Sequence, residues 1–316
     1  MNDSTRVAAV LGAVVGLFLV VQFGALALVG PFESAGMQST DDPQNPLNSV
    51  FYVGFLLVVT GAILLVIKYD VQWILRAFVL LTSGFIASYV FGVVLPVVDA
   101  GGVNLAAYVP AAILVVALYA YPEWWVVDSA GAIMGMGAAA LFGISFGILP
   151  ALVLLAVLAV YDAISVYGTE HMLTLASGVM ELRLPVVLVI PATRSYSFRE
   201  DAEEVAESAA AGERDDSGPD RGAYFIGLGD AVMPSILVAS ASVFVDTPLV
   251  FGVELAALTA IVGTIVGLLI LMRMVFAGRA HAGLPLLNGG AILGYLVGAL
   301  AAGVPLIEAL GLAQYV

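Results

Sequence analysis

The sequence has 316 residues, of which 62% are hydrophobic and 11% are charged, and its formal net charge is −14. This composition lies outside the range of soluble domains and indicates a chain that crosses a membrane many times. The absence of cysteine excludes disulfides, thiol catalysis and thiolate metal sites. The acidic balance argues against a nucleic-acid partner, because phosphate contacts need Lys and Arg.

Nine apolar runs in the sequence are long enough to cross the hydrocarbon core of a membrane, which is ~30 Å thick. Their approximate bounds are 7–29, 49–68, 74–97, 103–121, 124–144, 148–168, 222–245, 247–272 and 286–305. The first run is longer than the hydrophobic core of a signal peptide, so we interpret it as the first span. These runs predict an all-α polytopic membrane protein with nine transmembrane helices.

Only one connection between the predicted spans is long, and it divides the chain into three parts. Residues 1–168 form a predicted six-span bundle, residues 169–221 a loop, and residues 222–316 a three-span part. The stretch 199–221 is rich in Glu, Asp, Ala, Ser and Gly, which predicts a disordered or weakly helical linker. The stretch 184–191 is apolar and β-prone but too short to span, so it either pairs with an extended peptide or rests on the lipid surface.

The basic residues predict the orientation of the chain. The ten Lys and Arg residues precede the first span or lie in the second, sixth and eighth connections: Arg6, Lys68, Arg76, Arg183, Arg194, Arg199, Arg214, Arg221, Arg273 and Arg279. The positive-inside rule therefore places the N-terminus and the long loop in the cytoplasm and, after an odd number of crossings, the C-terminus outside. We expect an integral protein of the cell membrane.

Two aspartates interrupt the apolar runs on either side of the long loop. Asp162 lies in the sixth run, and Asp230 ends a Gly-Leu-Gly-Asp motif in the seventh. A carboxylate inside a hydrocarbon span is costly, so each is a candidate functional residue. Asp162 lies about six residues before the end of its span and Asp230 about eight after the start of its own, or roughly 9 Å and 12 Å. Because the two spans run antiparallel, we expect both carboxylates at a similar depth.

These motifs resemble those of the presenilin and signal-peptide-peptidase family of intramembrane aspartyl proteases. The shared features are a Tyr-Asp pair in one helix, Gly-Leu-Gly-Asp in the next and Pro-Leu-Leu at the start of the last. Helix count and motif order extend the resemblance over nearly the whole chain, and the compact length is most similar to an archaeal member. The resemblance implies a presenilin-like fold with Asp162 and Asp230 as the catalytic residues. It also implies a site shaped by Tyr161, Gly227, Leu228, Gly229, Pro285, Leu286 and Leu287.

The third motif departs from the family pattern, which has Ala where this chain has Leu286. Pro285 is expected to leave a nearby backbone carbonyl without a helical partner, because proline has no N–H and its ring displaces the preceding turn. That carbonyl would then be available to a substrate.

Two adjacent carboxylates have the chemistry that peptide hydrolysis needs. They cannot both ionise a few ångströms apart, so one keeps a proton and the other stays charged. The charged member removes a proton from a water, and the protonated member donates to the carbonyl oxygen. The predicted function is that of an aspartic endopeptidase that cuts single-span transmembrane substrates without metal or cofactor. The expected partners are these substrates and the lipid bilayer, with no nucleic acid; self-association into a homo-oligomer stays open.

The main alternative is a proton-coupled secondary transporter that uses the same aspartates as a relay. We see no internal repeat of the kind that transporters commonly show. The GxSxG motif around Ser145 is interpreted as a hairpin turn and not as a serine nucleophile, because His171 and His281 are expected at the opposite side of the membrane.

Two further patterns carry structural predictions. Asp128 and Glu254 lie about one turn inside their predicted spans, where we expect them to reach the interface or a helix dipole. Glycines four residues apart predict close helix contacts. These pairs are Gly12/Gly16, Gly131/Gly135, Gly263/Gly267 and Gly290/Gly294.

Overall fold

The computed structural model describes residues 3–69, 71–168, 187–191, 196–198, 222–276 and 282–315, and the chain is mostly helical within them. The helices are α1 (Asp3–Ser34), α2 (Leu47–Lys68), α3 (Gln72–Val94), α4 (Leu105–Ala120), α5 (Trp124–Ser145), α6 (Ile148–Gly168), α7 (Leu228–Phe244), α8 (Leu255–Phe276), α9 (Leu284–Ala301) and the short α10 (Leu306–Ala309). The strands are β1 (Asp99–Ala100), β2 (Val103–Asn104), β3 (Val187–Pro191), β4 (Ala223–Gly227), β5 (Leu249–Val250) and β6 (Val253–Glu254). The predicted loop at 169–221 lies outside the described residues except for 187–191 and 196–198.

Among the described residues, seven helices are long and apolar enough to cross a membrane, namely α1, α2, α3, α5, α6, α8 and α9. The apolar helices α4 and α7 are shorter, with 16 and 17 residues. Helices suit this setting because they pair every interior backbone group within one segment. The chain is therefore an integral membrane protein with membrane-spanning helices.

The all-α prediction is wrong in detail, because the chain also forms three antiparallel pairs of strands: β1–β2, β3–β4 and β5–β6. Residues 223–227 were predicted as the start of the seventh span but form β4, and α7 begins only at Leu228. Residues 247–254, predicted as the start of the eighth span, contain the β5–β6 hairpin. An apolar strand followed directly by an apolar helix has the hydropathy of one longer helix, so the pattern alone did not separate them.

The strand-forming stretch 184–191 is confirmed in part, because Val187–Pro191 forms β3. Its partner is β4, in the register Val187↔Gly227 to Pro191↔Ala223. The hairpin β5–β6 turns through Phe251 and Gly252, which have φ of 55° and 81°. Positive φ at both central residues is what a two-residue hairpin turn of the type I′ class needs.

The described residues divide into two compact units, each with its own core. The first comprises Met1–Gly16, Ile63–Met134 and Glu170–Leu228. Its core joins α4, the first turns of α5 and the β3–β4 pair. The buried residues of that core are Leu118, Val126, Val127, Ala130, Val189, Phe198 and Ala223.

The second unit comprises Leu17–Ala62, Gly135–Thr169 and Gly229–Val316. Its core is built from α6, α7, α8 and α9. Tyr295 is fully buried there, and its hydroxyl donates to the carbonyl of Ala309, which ties α10 to the core. This unit contains both candidate aspartates.

Helices α8 and α9 touch through their backbones. A Cβ on Gly263 would collide with the carbonyl of Gly290, and one on Gly294 would collide with the carbonyl of Thr259. The predicted contacts of the glycine pairs at 263/267 and 290/294 are confirmed. The predicted contact at Gly12 and Gly16 is wrong, since among described atoms a Cβ at either position meets nothing within 4 Å.

Candidate active site

The two candidate aspartates stand at opposite ends of their helices. Asp162 lies in the last two turns of α6, and only 8% of its surface is exposed. Asp230 lies in the first turn of α7 and is half-buried. The expected position of Asp230, about eight residues into a helix, is wrong because the preceding residues belong to β4.

The segment that begins α9 contacts both aspartates. The backbone N–H of Leu284 donates to Oδ2 of Asp162, at 3.0 Å. A Cβ built on Gly283 would lie 3.2 Å from Oδ2 of Asp230 and 3.5 Å from its Cγ. The structure therefore brings Asp162 and Asp230 together at Gly283 and Leu284.

The surroundings of the two carboxyl groups differ. Asp162 faces the N-terminus of α9, where Leu284 donates and the amide of Gly283 also interacts with the carboxyl group. The first N–H groups of a helix have no partner within the helix, and they carry the positive end of its dipole. These groups favour a negative charge on Asp162 and give no matching donor to Asp230 among the described contacts.

Gly283 has a structural role that the sequence motifs did not reveal. A Cβ added to Gly283 would lie close to Asp230 and also 3.4 Å from Cδ2 of Leu271. The distance of 3.2 Å to Oδ2 of Asp230 is tighter than most real Cβ contacts, whereas 3.4 Å to Leu271 is ordinary van der Waals contact. A glycine here keeps the start of α9 close to both carboxyl groups. The signal that could have found it is the Gly-Leu dipeptide directly before Pro285.

The Pro-Leu-Leu motif begins α9 and packs it against α8. Pro285 stands in the first turn, where its N–H would lack a helical partner in any case. The expectation that Pro285 releases a carbonyl is therefore wrong. The backbone of Leu286 lies against Gly267 of α8, and Leu287 is fully buried.

A released carbonyl does occur, at Asp230 itself. Pro234 lies inside α7, four residues after Asp230. Because proline has no N–H, the backbone carbonyl of Asp230 lacks its normal i+4 helical donor. The first turn of α7 is therefore less constrained than an ordinary helical turn.

The other sequence-predicted site residues are more exposed. Tyr161 has 48% of its surface exposed. Gly227 ends β4, Leu228 begins α7, and Gly229 has no described atom within 4 Å of a Cβ placed on it. Gly229 is thus not closely packed by any described residue.

A second polar contact joins α6 and α9 farther from the helix ends that carry Asp162 and Leu284. The side-chain amide of Asn288 donates to the carbonyl of Leu155, at 3.0 Å, and Asn288 is fully buried. Leu155 lies two helical turns before Asp162, and Asn288 one turn after Leu284, so both pairs lie on the same helix faces. The contact helps to fix the faces that carry the Asp162–Leu284 pair.

The remaining candidates have structural partners. Ser145 ends α5 and α6 begins at Ile148, so its motif lies at the connection between two helices, as predicted. Ser145 is buried, and its hydroxyl accepts the N–H of Ser39. His171 and His281 lie outside the described residues. Glu254 belongs to β6 and not to a span, and it accepts from the backbone and hydroxyl of Thr247, each at 2.8 Å.

Comparison with known proteins identifies the fold. The family model of the signal-peptide peptidase and presenilin aspartyl proteases matches residues 15–304. The chain belongs to this family. Its members are intramembrane aspartyl proteases, so this presenilin-family chain is an aspartic endopeptidase of the membrane.

Two solved structures of a presenilin family intramembrane aspartate protease are similar to the chain. The one in the C222 space group is 33% identical, covers 92% of this chain and 99% of its own, and superposes with a TM-score of 0.66. The one in the P2 space group is 34% identical, and the match covers 91% of this chain and 96% of the solved one, with a TM-score of 0.62. The comparison with curated proteins gave no match.

Proposed function

We propose that Asp162 and Asp230 form a catalytic dyad that hydrolyses peptide bonds within single-span transmembrane substrates. The observation that carries this proposal is the convergence of both carboxyl groups on Gly283 and Leu284 at the start of α9. Acids that share such a position can divide the two roles of acid and base. No observation favours the transporter alternative.

The asymmetry of the dyad supports an assignment of roles. Asp162, which accepts the Leu284 N–H, is the charged member and removes a proton from a water held between the carboxyl groups. Asp230 carries the shared proton and donates it to the carbonyl oxygen of the scissile bond. When the tetrahedral intermediate collapses, Asp162 passes its new proton to the leaving nitrogen, and Asp230 recovers a proton from the hydroxyl that becomes the carbonyl. Both carboxyl groups then return to their starting state.

The edge of β4 is the proposed binding place for the unwound part of the substrate. A peptide bond inside a helix is shielded by its own hydrogen bonds, so the substrate must extend locally. Strand addition supplies backbone partners to such a segment. β4 leads directly into α7, and Gly227 precedes Asp230 by only two intervening residues. Tyr161, Leu228, Gly229 and the Pro285-Leu286-Leu287 segment are proposed to shape the surroundings of the two aspartates.

The proposed membrane topology has nine crossings. It adds α4 and α7 to the seven longer helices, since their 16 and 17 residues would extend roughly 24–26 Å at 1.5 Å per residue. The basic residues support a cytoplasmic N-terminus and long loop and an external C-terminus. In chain order this corresponds to a six-span part at 1–168, a loop at 169–221 and a three-span part at 222–316.

Substitution of each aspartate tests the dyad. Asp162→Asn and Asp230→Asn should each abolish cleavage of a single-span substrate in liposomes, with an unchanged Tm. Asp99→Asn is a matched control, because Asp99 accepts an N–H in the β1–β2 turn and should not affect turnover. Near-native cleavage by either dyad variant would refute the assignment. A hydroxyl-containing transition-state mimic should compete with the substrate in the unmodified enzyme.

A further inference from the structure

A third aspartate, outside the proposed dyad, holds the strand that pairs with β4. Asp128 lies in the second turn of α5, and its Oδ1 accepts the backbone N–H of Val189, at 2.7 Å. The side chain is half-buried. A carboxylate at this depth in an apolar helix is costly, and the hydrogen bond from Val189, which lies in the same compact unit, compensates part of that cost.

The direction of the Val189 N–H reveals which groups of β3 face away from β4. In an antiparallel pair, the backbone groups of successive residues point alternately toward and away from the partner strand. Val189 is opposite Phe225, yet its N–H reaches Asp128. Val187, Val189 and Pro191 therefore form the outer edge of β3.

This outer edge is poorly suited to accept another strand. Asp128 occupies the N–H of Val189, and Pro191 has no N–H to offer. Sheet edges are commonly protected in this way, by a charged side chain or a proline. Only Val187 keeps an N–H on this edge.

Among the described residues, no carboxylate or proline blocks the outer edge of β4. By the same alternation, Ala223, Phe225 and Gly227 direct their N–H and C=O groups away from β3. None of the three is a proline, so each has both a donor and an acceptor. The β3–β4 pair thus has one edge closed by Asp128 and one edge suited to strand addition.

The same end of α5 anchors the segment that follows β3. Glu123, directly before α5, is buried and accepts from the hydroxyl of Ser197 at 2.8 Å and from the N–H of Phe198 at 3.2 Å. Val127 of α5 packs in the same core as Val189. Asp128 therefore binds β3, and Glu123 binds the segment 196–198 that follows it.

We propose that Asp128 is a positioning and specificity-determining residue, which closes the outer edge of β3 so that an extended substrate segment pairs only with β4. This inference rests on the proposed strand addition. With one open edge, the substrate has one backbone register relative to β4 and hence one scissile bond near Asp230. With two open edges, the same segment has competing registers, and cleavage spreads over neighbouring bonds.

Substitutions at Asp128 test the proposal through the positions of cleavage. Asp128→Leu removes the acceptor and leaves the Val189 N–H open. Mass spectrometry should then detect products cut at additional bonds, where the unmodified enzyme gives one product. Asp128→Asn keeps an oxygen acceptor and should restore the single product. Asp99→Leu is the matched control, because it loses an equivalent hydrogen bond to Gly102 within the same unit and should not change the products.

A double variant separates closure of the edge from anchoring of the strand. In Asp128→Leu with Val189→Pro, the proline again removes the N–H, so the product should return to a single cut although the anchor is lost. If Asp128→Leu lowers the Tm, Asp128→Ser, whose side chain is too short to reach Val189, should give the same spread of products in a folded enzyme.

Different results would overturn the proposed role of Asp128 and the proposed role of the catalytic dyad. An unchanged product pattern in Asp128→Leu or Asp128→Ser, with faster amide exchange at Val189, would overturn the role of Asp128 alone. If the double variant still cut at several bonds, closure of the β3 edge could not be the reason for the single cut in the unmodified enzyme. Cleavage by Asp162→Asn or Asp230→Asn would instead overturn the proposed catalytic dyad.

Discussion

The backbone nitrogen of Leu284 lies 3.0 Å from Oδ2 of Asp162, although the two residues are 122 positions apart in the sequence. This hydrogen bond joins the start of α9 to the end of α6 and gives one carboxyl group of the pair a donor. The adjacent residue, Gly283, approaches the other carboxyl group. The start of α9 therefore contacts both acids.

Gly283→Ala should lower kcat about tenfold and Gly283→Val should lower it further, with little change in KM. The added Cβ would lie 3.2 Å from Oδ2 of Asp230 and displace the carboxyl group from its partner. The carboxyl group would have to shift by a few tenths of an ångström, and the rate depends steeply on the geometry of the reacting groups, so we expect a loss of about tenfold. The measurement is the initial rate on a single-span substrate. Gly289→Ala in α9 is the control, since its Cβ meets no described atom within 4 Å and activity should be retained.

Pro234→Ala should raise the Tm and lower kcat. The new N–H can donate to the carbonyl of Asp230 and make the first turn of α7 regular, which stabilises a helix by up to ~3 kcal/mol. A more regular turn restricts the adjustment of the Asp230 carboxyl group during turnover. Pro110→Ala provides the comparison, because α4 carries neither aspartate of the proposed dyad and only the Tm should rise. Unchanged turnover in Pro234→Ala would contradict a role for the released carbonyl.

The dependence of kcat/KM on pH should be bell-shaped. At low pH both carboxyl groups are protonated and no base remains, so activity falls as pH decreases. At high pH both are ionised and no acid remains, so activity falls again as pH increases. The two limbs report the pair as a unit and not the separate residues. A profile with only one limb would argue against a shared proton.

Gly263→Val should strongly destabilise the protein without a specific effect on the site. Its side chain would collide with the carbonyl of Gly290, and neither backbone can move without separating α8 from α9. Overpacking of this kind costs about 1–3 kcal/mol or more. The expected result is a lower Tm in detergent, with activity lost in proportion to the unfolded fraction. Gly12→Val has no described neighbour within 4 Å of the new Cβ and should leave the Tm nearly unchanged.

Much of the helical framework could be predicted from the sequence. Apolar runs located the helices to within a few residues, because the cost of exposing backbone groups to lipid acts on each segment separately. The predictions failed at 223–227 and 247–254, where apolar strands precede helices. Whether such a residue is in a strand depends on a partner, and the partner of Phe225 is Val189, in a distant part of the chain.

Motifs also indicated Asp162 and Asp230 as site residues, but they did not reveal which residues contact the two carboxyl groups. Gly283, Leu284 and Pro234 have no charge or unusual spacing that would mark them as contacts of an aspartate. Asp128 was expected at an interface or a helix dipole, and instead accepts the N–H of Val189. These relationships appear only when residues from separate helices and strands are brought together.

The sequence by itself determined that the chain is a membrane protein with two costly carboxylates in its apolar helices, because hydropathy and charge are local properties of each segment. The tertiary structure alone decided that the N–H of Leu284 faces Asp162, that Gly283 approaches Asp230 and that Asp128 accepts the N–H of Val189. Hydrogen-bond direction and strand register depend on contacts between distant segments, which no local pattern contains.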